Sequence, residues 1–112
     1  MKKVEAIIRK SKFDDVTEAL EGIGINFFTF LEVSGHGKQK GNEITYRGSH
    51  YDSGHIPRLK LEIIVPEEKL DQVISTISIN AKTGRIGDGK IIVTPVDAFI
   101  RVRTGEKDDD AL

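Results

Sequence analysis

The 112 residues contain no cysteine and no tryptophan, one methionine and only three prolines. Without cysteine there is no disulfide framework, no thiolate zinc site and no cysteine nucleophile, and the absence is neutral between compartments. A run of about 18 apolar residues, the length that would span a bilayer, is also missing. Met1-Lys2-Lys3-Val4 leads into a strand pattern instead of a signal-peptide core, so the expected location is the cytoplasm. Nor does one charge dominate: 17 Lys and Arg stand against 18 Asp and Glu. No overall field then draws the chain to nucleic acid or to a membrane surface, and any anion binding must be local. The length suits one domain over residues 1–112, with roughly two-thirds of the unfolded surface removed from water. Such a core is thin and leaves apolar surface for self-association.

What is present begins with a period of two. Val4, Ala6 and Ile8 alternate with charges at Lys3, Glu5 and Arg9, as in a half-buried strand. Ser11 opens a Ser-x-x-Asp capping pattern, and Phe13, Val16, Ala19, Leu20 and Ile23 recur at helical spacing until Gly22 and Gly24. A second strand follows, with Ile25, Phe27, Thr29, Leu31 and Val33 on one face and Phe28, Phe30 and Glu32 on the other. Leu59, Leu61, Ile63 and Val65 alternate with Lys60 and Glu62 between Pro57 and Pro66, and this strand is expected to pair with the second. Pro66-Glu67-Glu68 suits a helix start, with Leu70, Val73, Ile74 and Ile77 as its buried stripe. Ile91 to Val93 and Phe99 to Val102 read as strand-like runs around Pro95, which marks an edge or a strand end.

The order β-α-β-β-α-β predicts an α+β, ferredoxin-like split βαβ fold, with both helices on one face of an antiparallel sheet. By alternation the other face carries Phe28, Phe30, Glu32, Lys60 and Glu62, too apolar in part to be left to water. A partner or a second copy is expected there.

Residues 34–56 form a connection far longer than a usual hairpin loop, without sustained periodicity. Gly35-His36-Gly37-Lys38-Gln39-Lys40-Gly41 lies at its base and Tyr46-Arg47-Gly48-Ser49-His50-Tyr51 near its apex. Backbone freedom, positive charge and aromatics together suit recognition. His36, His50, His55 and Asp52 lack a tight pair at helical spacing, so a dedicated transition-metal site is not expected.

Residues 82–90 contain Gly84-Arg85-Ile86-Gly87-Asp88-Gly89-Lys90, the outline of a Walker A loop. Ile91 occupies the place of the magnesium-binding Ser or Thr, and the run joins helix to strand, so it is not a P-loop. Two readings stay open: glycines that let backbone N–H groups converge on an anion beside Lys90, or a glycine-rich turn with a solvated lysine. In the C-terminal segment, 98–112, Arg101 and Arg103 are two apart in a strand-like run. They share a side, as a fork for phosphate oxygens or as plain surface.

Taken together, the loop base Gly37 to Gly41, the run Tyr46 to Tyr51, the segment Thr83 to Ile91 and Arg101-Val102-Arg103-Thr104-Gly105 resemble the nitrogen regulatory PII signal proteins, over essentially the whole chain. The resemblance implies a homotrimer with ATP or ADP in the clefts between subunits. It places phosphates on Gly87, Asp88, Gly89, Lys90, Arg101 and Arg103, the arginines reaching from a neighbouring subunit, with Gly35, Gly37 and Lys38 also near the nucleotide. Adenine and ribose would lie near Ile7, Thr29, Glu62 and Ile64. Gln39 would hold a magnesium ion with the triphosphate and 2-oxoglutarate, whose site would comprise Gln39, Lys40, Gly41, Arg58 and Gly87. Arg58 stands where relatives usually carry a lysine. Tyr51 matches a tyrosine uridylylated in many relatives. The implied function is a non-enzymatic signal transducer for nitrogen, carbon and energy status. It would act through residues 34–56 on partners such as an ammonium channel or nitrogen-metabolism enzymes, touching membranes only through such a channel.

Four rivals remain: a phosphoryl-transfer enzyme or ATPase, an RNA-binding module using Phe28 and Phe30, a nucleotide-binding trimer that does not sense 2-oxoglutarate, and a divalent-cation or metabolite-binding trimer of the same fold that binds no nucleotide.

Overall fold

A computed structural model describes residues 1–36, 44–46, 49–51 and 56–112. Its strands are β1 (Lys2–Ile8), β2 (Thr29–Gly35), β3 (Ile44–Tyr46), β4 (Ser49–Tyr51), β5 (Ile56–Val65) and β6 (Lys90–Pro95); its helices are α1 (Phe13–Gly22) and α2 (Leu70–Ala81). Four strands form one antiparallel sheet in the order β2-β5-β1-β6. This is the interleaved pair of split β-α-β units expected of the ferredoxin-like class.

Alternation on β1 and β5 builds the core. Val4, Ala6 and Ile8 lie opposite Ile63, Leu61 and Leu59, so directly facing residues point to the same side. All six are buried, and Val16 and Leu20 of α1 and Val73, Ile77 and Ala81 of α2 cover them. Among the described residues no helix is long and apolar enough to cross a membrane.

The end of α1 is set by backbone chemistry. Gly24 takes φ +87°, its N–H donates to the Glu21 carbonyl at 3.0 Å, and the Ile25 N–H donates to Leu20 at 2.9 Å. This paired termination brings Ile25 onto Leu20 inside the core. At the other end of α1, Ser11 does not cap. It lies in a 3-10 turn, Lys10–Lys12, held by the Lys12 N–H on the Arg9 carbonyl at 3.0 Å, and no side chain caps the helix.

Two sequence expectations need correction. First, β2 starts only at Thr29, and the alternation read from Ile25 does not survive into it. Phe30 lies opposite Leu61, and so faces the helices, where the Phe13, Phe28 and Phe30 rings pack with centroids 4.8–6.5 Å apart. Ile25 is buried by the helix terminus, not by strand phase. The open face instead carries Thr29, Leu31 and Val33 beside Lys60 and Glu62, with no aromatic side chain among the described residues. The stacking platform on which an RNA-binding reading relied is therefore on the other side. Second, Phe99 to Val102 is not a strand. Ile100 makes a single bridge to Lys107, and a tight turn follows, closed by the Gly105 N–H on the Arg101 carbonyl at 2.8 Å. Pro95 is the last residue of β6, an edge strand, as expected.

Within 34–56, β2 continues to Gly35 and β5 begins at Ile56. β3 and β4 pair as a short ribbon, with Ile44 opposite Tyr51, each strand too short to show a period in sequence.

Leu61 is fully buried at the centre of the sheet. Leu61→Ala is expected to lower the unfolding free energy by about 2–5 kcal/mol. Urea unfolding at fixed protein concentration should show an earlier midpoint, with the exposed Glu68→Ala as an unchanged control.

Candidate functional site

The connection from α2 to β6 is organised by one side chain. Asp88 Oδ2 accepts the backbone N–H groups of Thr83 and Gly84, both at 2.9 Å, and Oδ1 accepts the Thr83 hydroxyl. From β1's end, Arg9 Nε donates to Asp88 Oδ1 at 3.2 Å and its Nη2 to the Ile86 carbonyl at 2.8 Å. The Thr83 hydroxyl, then the two N–H groups and Arg9, hold the Asp88 carboxyl well below the usual carboxylate range.

Asp88 thus closes the first half of the loop upon itself and leaves the second half open. Among the described residues, the backbone N–H groups of Gly87, Asp88 and Gly89 make no hydrogen bond. Successive unengaged donors beside a lysine are what a backbone anion site requires. Gly89 is required there, because it has φ +104° and a Cβ at this position would sit 1.8 Å from the Ile7 carbonyl oxygen. That contact locks the loop onto β1 where Lys90 pairs with Ile7.

Register places other residues around this element. Ile7, Thr29, Glu62 and Ile64 share the open face, Thr29 directly opposite Glu62. Arg58 lies on the same face opposite Val33, its Nη1 donating to the Pro57 carbonyl at 2.8 Å. Burial first, then the charge of nearby Arg9, lowers the Arg58 guanidinium from its ordinary value. A guanidinium still remains cationic at neutral pH. The loop end of the face is therefore positive, and the region around Thr29, Glu62 and Ile64 mixes apolar and hydrogen-bonding groups. Gly35 ends β2 opposite Ile56, at the base of the 34–56 connection.

Other sequence candidates stand apart. Arg101 donates to the Ala111 carbonyl at 3.0 Å and pairs with Glu106 at 3.5 Å. Arg101 and Arg103 lie around a turn, so the shared side read from a strand period does not apply. Gly37, Lys38, Gln39, Lys40 and Gly41 lie outside the described residues, as do Asp52 and His55; Tyr51 closes β4.

Comparisons with known proteins decide the family. The family model for nitrogen regulatory protein P-II matches residues 1–106. The chain belongs to the nitrogen regulatory P-II family. It is 51% identical to nitrogen regulatory protein P-II of Haemophilus influenzae and 50% identical to nitrogen regulatory protein P-II 1 of Escherichia coli, over the full length of both chains in each case. Among solved structures, Arabidopsis thaliana PII bound to citrate aligns with TM-score 0.78 and 40% identity, covering 96% of this chain and 85% of that one.

The sequence alone did not single out Arg9 as a residue that holds the 82–90 loop, nor the contact of Thr83 with Asp88. Arg9 stood in the alternation as one more exposed charge. Its phase with Ile7 was the available signal, because a strand residue one step past the last buried position points over the same face.

A depressed carboxyl stabilises the folded state at high pH. The contribution of Asp88 is present above the ordinary aspartate value of about 3.9 and is lost as pH falls below it through the lower folded value. Protection factors of the Thr83 and Gly84 amides, taken against the intrinsic exchange rate at each pH, should fall on acidification through that range. Asp88→Asn should show the faster exchange already at neutral pH; unchanged protection in the variant would refute the closing role.

Proposed function

We propose that this P-II chain is a non-enzymatic signal transducer. As a homotrimer it binds ATP or ADP and 2-oxoglutarate, and residues 34–56 report the bound state to regulated proteins such as an ammonium channel or nitrogen-metabolism enzymes. One observation carries the reading: the free N–H groups of Gly87, Asp88 and Gly89 stand beside Lys90 at the end of a sheet face bearing Ile7, Thr29, Glu62 and Ile64. A phosphate chain on the former and a nucleoside across the latter make one continuous ligand.

The residues fit such a ligand. Phosphate oxygens take backbone donors and Lys90; Asp88 contributes its N–H, because its carboxylate is already engaged. That engagement also supports regulation over phosphoryl transfer, since it leaves the loop's one carboxylate unsuited to be a general base. Arg101 and Arg103 would come from a neighbouring subunit, their turn swinging onto its phosphates. A trimer would cover Leu31 and Ile92, both exposed on the open face. Among the described residues no acidic or histidine cluster holds a metal. Magnesium would travel with the triphosphate and meet Gln39, supplying charge neutralisation there. For 2-oxoglutarate, Arg58 would supply the charge that meets a carboxylate, and Gln39, Lys40, Gly41 and Gly87 would complete the site. The relative described with bound citrate supports carboxylate binding in this fold.

Ligand state would act by differential affinity for loop conformations, so ATP with 2-oxoglutarate and ADP favour different partner-binding populations. The whole chain, 1–112, would serve as one cytoplasmic domain, with 34–56 as regulatory loop, 82–90 as phosphate loop and 98–112 as the segment delivered to a neighbour. Tyr51 would be the modified residue where a cognate uridylyltransferase exists.

Calorimetric titration tests this reading. ATP with magnesium should bind and make 2-oxoglutarate binding measurable, and Lys90→Ala should weaken ATP about tenfold, the scale of one charge-assisted contact. No nucleotide binding by the wild-type trimer would overturn the proposal, and ATP binding with no 2-oxoglutarate response would remove the effector half.

A further inference from the structure

On the open face, Glu5 of β1 lies directly opposite Glu62 of β5. Like charges in that position destabilise a sheet. Here two lysines at opposite diagonals offset the repulsion: Lys3 Nζ lies 2.9 Å from Glu5 and 3.5 Å from Glu62, and Lys60 Nζ lies 3.4 Å from Glu62 and 3.7 Å from Glu5. The four charges alternate around a closed square, each side chain 20–31% exposed. Hydrogen bonding to Glu5 raises the Lys3 ammonium, and the same bond lowers Glu5.

A simple stabilising pair would set lysine opposite glutamate. This arrangement instead clamps Glu62 from one side by two ammonium groups, one on each carboxylate oxygen, while its other cross-strand neighbour is Thr29. A carboxylate has about four lone-pair sites, so two remain for a ligand, with their direction set by the clamp.

We propose that Lys3 and Lys60 are positioning residues that orient the Glu62 carboxylate to accept hydrogen bonds from the hydroxyl or amino donors of a bound nucleoside, giving discrimination against nucleosides that lack those donors. This rests on the reading that a nucleoside lies over Ile7, Thr29, Glu62 and Ile64. The ring acts through geometry: without it, repulsion from Glu5 turns the Glu62 carboxylate away and the donor meets no fixed acceptor.

The test measures dissociation constants for ATP, 2′-deoxy-ATP and inosine triphosphate, which lacks the amino group, on wild type, Lys60→Met, Lys3→Met and Lys60→Arg, with assembly mass checked for each. Wild type should prefer ATP over at least one analogue by about tenfold, one charge-assisted hydrogen bond. Which analogue loses affinity tells hydroxyl from amino recognition. Both methionine variants should bring that ratio toward one, and Lys60→Arg should restore most of it. A variant that weakens all three ligands equally, or that keeps the wild-type ratio, overturns the proposal, as does a wild type indifferent to both analogues. Where a methionine variant does not assemble, Glu5→Gln reads the same ring: freeing both lysines for Glu62 should hold or raise the ratio, and a fall toward one overturns it. A wild type that binds no nucleotide at all is a different result, because it removes the functional reading itself.

Discussion

The antiparallel register of β1 between β5 and β6 is the constraint from which the other features follow. It sets Val4, Ala6 and Ile8 against Ile63, Leu61 and Leu59 beneath the helices, and it sends Lys3, Glu5 and Ile7 to the opposite face. A slip of one residue would exchange the two sets, so the buried side forbids it. The same register that makes a core therefore also assembles the ionic square, aligns Ile7 with Lys60 and Lys90, and brings Arg9 to the end of the face. Core and candidate site are two sides of one pairing.

At its end β1 does a second job. The Ile7 carbonyl lies where a side chain at position 89 would stand, and Arg9 reaches Asp88 and the Ile86 carbonyl. The loop before β6 is thus held from outside by β1 and from within by Asp88. An internal carboxylate consumes the N–H groups of Thr83 and Gly84, which leaves Gly87 to Gly89 as the open donors. Both readings of the Gly-rich run therefore have a physical basis: its first half is a tight turn closed by Asp88, and its second half keeps backbone donors unengaged beside Lys90. The pattern resembles a Walker A loop because both need glycine where backbone approaches closely, although here one close approach is to the chain's own strand.

Charge distribution on the open face follows the same division. Toward the loop lie Arg9, Arg58 and Lys90; toward the middle, the square of Lys3, Glu5, Lys60 and Glu62 is internally balanced. A ligand with an anionic end and a neutral, hydrogen-bonding end matches that gradient without any net charge on the protein. Local fields of this kind are compatible with a chain whose formal charge is only −1.

Legibility in the sequence varied by element for physical reasons. Alternation on β1 and β5 was readable because both are long, central and buried on one side. The β2 phase was misread because Ile25 is buried by a helix termination four residues before the strand starts, so its burial carries no information about strand facing. Val102 and Ile100 looked strand-like through β-branching alone, yet the chain beyond Pro95 has left the sheet and turns on itself. Composition, the two-residue and helical periods, and the four family segments determined the fold class and family from local chemistry. Tertiary structure alone decided that Phe30 packs inward, that Asp88 spends its carboxylate on its own loop, and that Arg9 and the lysine-glutamate square belong to the candidate site. Those depend on which residue of one strand lies opposite which of another, a relation between segments distant in sequence that no local pattern encodes.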